Sequence, residues 1–520
     1  MWYDEAIFYH IYPLGLCKAP KINEYKDPVN RFRMLEPWID HIKRTGFNAL
    51  YIGPLFESVG HGYETSDYRK ADSRLGSNEN LKHFVKYCHD EGIKVIFDGV
   101  FNHTGRDFFA FKDIRENREN SRFLNWYVNV NLYGNNSYDD GFSYDTWGGY
   151  DLLAKLNLKN PEVVDYHIDT VRFWIEEFDI DGIRLDAADV LDFDFMRRLR
   201  YETDHMKEDF FLMGEVIHGQ YNNWVNDQML HSVTSYAMHK AFYSSHNDHN
   251  YFELAHTVRR DFEMCGNNAY RLYQFLDNHD VERIASKIAD RNNLYPLFVL
   301  LYTLPGIPSI YYGSEFAIEG KKERYSDDSL RPCLDLEEMI AKECFYPSLL
   351  KKLSEIRNDH KALIYGPYNQ LHLTTEVFCF ERGDVIIVSN NCDRMISFDI
   401  EKDGRYEDVL SGRSFVSEYG RLALSVEGHD AMILVPADGE KKNYEPLLRP
   451  KLQIEKESSD NKIPEIRIAE KPYEEMSVEE LQSAILAKMK ANGPLNDRMI
   501  KDVTENVYRD SLLNWVKSFR

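Results

Sequence analysis

Three stretches in the first third of the chain repeat one pattern of apolar and polar positions. In "MLEPWIDHIKRTGFNALYIGPL", Leu35, Trp38, Ile39 and Ile42 share one face at helical spacing. Gly46 stands where such a helix stops, and Ala49–Ile52 is an apolar run. In "NLKHFVKYCHDEGIKVIFDGV", Leu81, Phe84, Val85 and Cys88 keep the spacing, Gly92 is the stop, and Ile93–Phe97 is the run. The third unit opens with Asn160 as N-cap and Pro161 in the first helical position. Val164, Ile168, Val171, Ile175 and Phe178 form its stripe, and it feeds "GIRLDAADV" (Gly182–Val190). Helices alternating with short apolar strands predict a parallel sheet covered by helices. Ile7–Tyr12, Phe211–Glu215, Ser232–Tyr236, Tyr273–Leu276 and Ser309–Tyr312 bring the strands to eight, the number an α/β (β/α)8 TIM barrel requires. A doubly wound open sheet is the alternative, and neither a GxGxxG nor a GxxxxGK[ST] phosphate loop supports it.

The rhythm breaks in two places. The barrel is expected over 1–103 and 161–362, with an insertion at 104–160 after the third strand. Its "NWYVNVNLYGNNSYDDGFSYDTWGGY" is rich in amides and aromatics, which suit either sugar binding or a small irregular subdomain. From Leu363 the period changes to that of short alternating strands, "QLHLTTEVFCFERGDVIIVSN" and "RLALSVEGHDAMILVPA", so a C-terminal antiparallel β-domain is expected over 363–437. A charged, proline-punctuated linker is expected over 438–472. A helical tail is expected over 473–520, its first helix opened by the Ser477/Glu480 capping box and stopped by Gly493-Pro494.

Charge narrows the partners. With 63 Lys and Arg against 86 Asp and Glu, the net charge is −23, which argues against nucleic acid and anionic membrane. No apolar run approaches the roughly 20 residues of a membrane span. The N-terminus "MWYDEAIFYH" has no secretory pattern, and seven scattered cysteines without a CxxC pair fit a reducing compartment, so a cytoplasmic protein is expected. The tail offers a surface for self-association or a protein partner.

Polar residues cluster where barrel strands end, the face on which such folds carry chemistry. The third strand ends in "FDGVFNH", the fourth in Arg184 and Asp186, the fifth in Glu215, and the seventh, "FLDNHD", in His279 and Asp280. A single Asp there commonly caps the next helix. Several acids, histidines and an arginine at one mouth ask for more, because unpaired buried charges cost several kcal/mol each. Cleaving a glycosidic bond needs one ionised and one protonated carboxyl. Arg184 beside Asp186 favours a charged carboxylate, the nucleophile. Glu215 follows the apolar run Phe210–Met213, which raises a carboxyl's pKa and suits the general acid. Asp280 supplies a third acid near the reacting carbon.

In that order, "DGVFNH", "GIRLDAADV", "GEVI" and "FLDNHD" resemble the four short motifs of the α-amylase family of glycoside hydrolases. "HGYETSDY", "LNLKNPEV" and "LPGIPSIYYG" are similar to its flanking segments, and "LAKLN" to the neopullulanase and maltogenic amylase version of a fifth. The resemblance spans about Ile7 to Pro436. It implies a retaining enzyme acting on α-1,4 bonds of maltooligosaccharides, with some transglycosylation. It makes Asp186 the nucleophile, Glu215 the acid/base and Asp280 the transition-state stabiliser. It sets Arg184 against the nucleophile, His103 and His279 on hydroxyls of the −1 sugar, and Tyr63 under that sugar. No cofactor is required. Many members hold calcium between barrel and insertion, and Asn102 matches one ligand, but Asp189-Val190 stands where they carry Lys-His, so the metal assignment is left open. Sucrose, trehalose or α-1,6 chemistry on the same barrel, and a catalytically inactive binding relative, are the alternatives; the latter usually lacks catalytic acids that this chain keeps.

Overall fold

The computed structural model describes residues 1–323, 326–438, 444–447 and 449, together with Leu481 and Ile485. Met1–Pro450 forms one compact unit and Lys451–Arg520 another. The expected helical tail lies outside the described residues apart from Leu481 and Ile485, as does most of the expected linker. The linker's described part belongs to the first unit: Leu447 N–H donates to the Leu410 carbonyl at 2.8 Å and Arg449 Nη1 to the His429 carbonyl at 2.6 Å.

Eight parallel strands form the centre: β1 (Phe8–Ile11), β2 (Ala49–Ile52), β3 (Lys94–Gly99), β4 (Gly182–Leu185), β5 (Phe211–Gly214), β6 (Ser232–Val233), β7 (Tyr273–Phe275) and β8 (Ile307–Tyr311). They pair in the order β6-β5-β4-β3-β2-β1-β8-β7. Thr234 bridges to Tyr273 in parallel and the Ser235 N–H donates to the Tyr273 carbonyl at 2.9 Å, so the sheet closes on itself as a barrel. The helix stops are real. Gly46 and Gly92 take φ of +88° and +79°, a left-handed conformation that glycine adopts without a Cβ penalty. Asn160 accepts the Glu162 N–H at 3.0 Å as N-cap.

Alternation along the strands divides the barrel into two cores. Phe8, Ala49, Tyr51, Ile96, Phe211, Met213, Tyr273, Phe275 and Ile307 pack with one another as one cluster inside the barrel. Tyr9, Leu50, Val95, Ile183, Leu185 and Leu212 join the second core, shared with the surrounding helices. Gly182 belongs to the crowded inner side: a Cβ there would meet the Phe211 carbonyl oxygen at 2.4 Å. The next inward position on β4 is Arg184, and there the interior turns from apolar to charged.

Between β3 and β4 the chain forms the helix Phe109–Asn117 and a short antiparallel pairing of His103–Thr104 with Ala154–Lys155. After the barrel, Tyr368–Leu373, Val377–Arg382, Val385–Asn390, Ala431–Pro436, Arg405–Asp408 and Ser414–Val416 make a six-stranded antiparallel sheet. Ile396–Glu401 pairs antiparallel with Arg421–Val426. Arg382 ties this sheet to the barrel. It is fully buried and donates to the carbonyls of Thr303 at 3.0 Å, Ile364 at 3.1 Å and Gly366 at 3.1 Å. Arg382→Ala strips three buried acceptors of their donor, at about 1 kcal/mol or more each. Urea unfolding is therefore expected to show a loss of about 3 kcal/mol; a change below about 0.5 kcal/mol would contradict this role for the arginine.

Candidate active site

Parallel pairing of β3 with β4 places Asp98 opposite Arg184. The buried Arg184 guanidinium then forks. Nη1 donates to Asp98 Oδ1 at 2.8 Å and to Asp186 Oδ1 at 3.0 Å, while Nη2 meets Glu215 Oε2 at 2.8 Å. One cation thus holds three buried carboxylates, and the Tyr51 ring lies 5.9 Å from its carbon. Asp98 Oδ2 accepts the hydroxyls of Tyr51 at 2.9 Å and Tyr63 at 3.1 Å. The Tyr63 hydroxyl also meets His279 Nε2, and the two rings stack at 5.7 Å.

A second cation serves the opposite wall. Arg331 Nη2 donates to Asp280 Oδ1 at 2.9 Å, and its Nε donates to the His279 carbonyl at 2.9 Å. His279 Nε2 lies 3.1 Å from the other Asp280 oxygen. Glu215 has its own donors. The Ala187 N–H reaches Oε2 at 3.0 Å, and the Tyr236 hydroxyl reaches Oε1 at 3.2 Å, with Asn278 donating to that hydroxyl at 3.1 Å. Ala187 makes this possible by adopting φ +46°, ψ +44°, a left-handed turn that costs a non-glycine residue of order 1 kcal/mol. The strain falls on the residue directly after Asp186.

Burial raises Asp186 well above the usual carboxylate range, and the Glu215, Asp98 and Asp280 charges add to this against the opposing pull of Arg184. Burial raises Glu215 as well, again opposed by Arg184 and supported by Asp280 and Asp98. Arg184 favours the charged form of Asp186, as its place in the sequence suggests, but burial outweighs it. The guanidinium is divided among three acids, so it cannot offset the desolvation of any one fully. The histidines shift the other way. Burial pushes His103 down to about 3 and depresses His10 and His279 strongly, leaving neutral rings at pH 7. His103 Nε2, His279 Nδ1 and His10 Nε2 are buried without a partner among the described residues.

The structure therefore gathers Arg184, Asp186, Glu215, Tyr63, His279 and Asp280 into one contact network. His103, buried in the short pairing that follows β3, has its ring 6.0 Å from Trp147 of the insertion. Sequence reasoning missed Asp98, Tyr51, His10, Tyr236 and Arg331. Asp98 carried a signal, an acid ending the apolar run of β3 in "FDG". Arg331 carried none, since it comes 51 residues after its partner Asp280. A cleft of about 890 Å³ adjoins Arg331, lined by Tyr12, His61, Tyr150, Lys322 and Asp327 among others.

Asn102 follows β3 at the base of the insertion. Its side-chain amide lies 3.2 Å from His103 Nδ1 and its carbonyl accepts the Leu156 N–H at 2.9 Å. Among the described residues, no group of three or more His, Cys, Asp or Glu is placed to hold a metal ion.

Residues 36–361 match the family described as "Alpha amylase, catalytic domain". The chain belongs to the alpha-amylase family. Similar proteins include a cyclomaltodextrinase of Thermoanaerobacter pseudethanolicus that is 32% identical over 446 residues, 79% of this chain and 74% of that one. An intracellular maltogenic amylase of Bacillus subtilis is 27% identical over 415 residues, 76% of this chain and 68% of that one. The crystal structure of Ttha1563 from Thermus thermophilus superposes with a TM-score of 0.74 at 26% identity, covering 84% of this chain and 100% of that one. The chain is accordingly a glycoside hydrolase of the alpha-amylase family, and the acid cluster at its barrel mouth has the makeup such chemistry requires.

The raised carboxyls bear on stability. A carboxyl whose pKa rises on folding binds its proton more tightly in the native state, so its contribution to stability falls as pH rises above the unfolded value. Asp186→Asn and Glu215→Gln remove that loss. Each is expected to raise the thermal midpoint at pH 8, by about 0.5–2 kcal/mol in stability, and to do so less at pH 5. Lower midpoints at pH 8 would contradict the account of the cluster.

Proposed function

We propose that this glycoside hydrolase cleaves α-1,4-glucosidic bonds of maltooligosaccharides with retention, by double displacement, and transfers some glycosyl groups to other sugars. The Asp186 carboxylate attacks the anomeric carbon and forms a glycosyl ester. Glu215 gives its proton to the departing oxygen, then takes one from the incoming water. Asp280 faces the positive charge that grows on the sugar ring, and Arg331 holds it in place. Tyr63 supports the −1 sugar, while His103 and His279, both neutral, bind its hydroxyls.

One observation carries this reading: a single guanidinium grips both Asp186 and Glu215. Two carboxyls held by one guanidinium supply the paired acids that glycoside hydrolysis needs. Charge development supplies the asymmetry that the free site lacks. Positive charge at the anomeric carbon draws Asp186 to its ionised form, and the proton is left on Glu215. The similarity to proteins named cyclomaltodextrinase and maltogenic amylase supports α-glucans as substrates. The similarity to an intracellular maltogenic amylase, with seven free cysteines in this chain, supports a place inside the cell acting on maltodextrins.

Digestion of maltotriose, sucrose and trehalose, followed by chromatography, tests the substrate class. Only maltotriose is expected to be cleaved, and loss of either carboxyl, as in Asp186→Asn or Glu215→Gln, is expected to lower kcat by about 10³-fold or more. Cleavage of sucrose or trehalose in preference would move the reading to those glycosides. The pH profile of kcat/KM tests the acid. Activity is expected to fall as pH rises through the elevated pKa of Glu215, which must be protonated at the start. The Asp98 charge helps to raise that pKa. Asp98→Asn should therefore move the alkaline limb to lower pH, besides slowing turnover; a limb that stays in place would exclude Glu215 as the acid.

A further inference from the structure

The two oxygens of Glu215 are not equivalent. Oε2 accepts from Arg184 Nη2 at 2.8 Å and from the Ala187 N–H at 3.0 Å. Neither donor can accept a proton in return, so Oε2 has no room for one of its own. Oε1 meets a single donor among the described residues, the Tyr236 hydroxyl at 3.2 Å. The proton of a protonated Glu215 therefore belongs on Oε1, the oxygen that Tyr236 touches.

Tyr236 is itself held in one sense. Asn278 Oδ1 accepts the backbone N–H groups of Asp280 at 2.9 Å and Val281 at 3.2 Å, which fixes which way the amide faces. Its Nδ2 then donates to the Tyr236 oxygen at 3.1 Å. A phenol oxygen that already accepts from an amide turns its own proton to the remaining neighbour, Oε1. Burial and the Glu215 and Asp280 charges push this hydroxyl well above its usual range, so it stays a donor throughout the working pH range. The ring does not need the hydroxyl for its place. It packs edge-on against Phe275 at 5.1 Å, at the start of the helix Tyr236–Asn247 that Ser235 caps.

We infer that Tyr236, oriented by Asn278, is a positioning residue for proton transfer, anchoring Glu215 Oε1 so that the acid's proton points at the departing glycosidic oxygen. The inference rests on the role proposed above for Glu215. In that step the anomeric carbon bonds to Asp186 while its bond to the glycosidic oxygen breaks. The electron pair goes to that oxygen, which takes the proton from Oε1. Glu215 is left ionised, and the Tyr236 O–H then meets a carboxylate. A hydrogen bond to a charged acceptor is the stronger one, so the contact tightens as the proton leaves. The charged groups that face Glu215 are Arg184, Asp98, Asp186 and Asp280, and none of them is bonded to Oε1.

The test is Tyr236→Phe in the full-length chain, which keeps the ring and removes the hydroxyl. Two substrates separate proton transfer from everything else. The leaving oxygen of maltotriose needs a proton, whereas the fluoride of α-maltosyl fluoride leaves without one. For both, kcat/KM reports the first bond cleavage. It is expected to fall about tenfold for maltotriose, in keeping with the loss of one hydrogen bond to a charged group. For the fluoride it should fall by less than about twofold. The alkaline limb of the maltotriose profile should move to higher pH, because a donor that favours the ionised carboxyl is gone and the Glu215 pKa rises. An equal fall for both substrates, or a limb that stays or moves down, would overturn the inference. Carbon-13 NMR titration of Glu215 in the substrate-free protein reads the same hydrogen bond without turnover: a pKa unchanged or lowered in Tyr236→Phe would overturn it as well. Wild-type protein that cuts neither substrate would instead overturn the functional reading beneath, and the titration would still decide the hydrogen bond.

Discussion

A single buried guanidinium, that of Arg184, is the contact on which the mouth of this barrel depends. Three carboxylates reach it within 3.0 Å, each from a different strand end: Asp98, Asp186 and Glu215. Without the cation, three acids of like charge would face one another in a region closed to water, at a cost of several kcal/mol each. With it they remain together but under-compensated. Burial, which the shared cation does not fully offset, raises both Asp186 and Glu215. A raised carboxyl pKa is what glycosidic cleavage asks of its acid. Arg331 repeats the device on the other wall, with Asp280 at 2.9 Å and Asp327 at 3.5 Å.

The barrel serves this arrangement by layering its interior. Below Arg184 the inward side chains are apolar and pack tightly against one another. At the level of Tyr51, Asp98 and Arg184 they become polar, and every strand from β3 to β5 delivers an acid or the cation at or just beyond its end. The left-handed turn at Ala187 completes the set by aiming a backbone N–H at Glu215 directly after Asp186. Strain, burial and like charge are concentrated in one place, and the hydrophobic interior beneath holds them there.

Much of this was legible in the chain itself. Apolar spacing located all eight strands, and the glycines at 46 and 92 marked helix ends that the structure shows in left-handed conformation. Alternation in "GIRLDAADV" separated Ile183 and Leu185, which pack toward the helices, from Arg184 and Asp186, which face the mouth. The order of the acids along the chain named Asp186, Glu215 and Asp280. What the sequence did not reveal was sharing. That Arg184 divides itself among three acids depends on the β3–β4 register, which no local pattern encodes. Arg331 and Tyr236 reach their partners across the barrel mouth from loops or helices with no motif of their own. The effect of Arg184 on Asp186 was legible, while burial and the Glu215, Asp98 and Asp280 charges that oppose it were not.

Whether Asp186, held by Arg184, forms a covalent bond to the sugar is tested most directly by trapping. Incubation with a fluorinated α-glucosyl fluoride that slows the second step, followed by proteolysis and mass spectrometry, should show one glycosyl unit on the peptide containing Asp186, and none in Asp186→Asn. Turnover of maltotriose with no adduct at Asp186, or an adduct on another carboxyl, would contradict the account.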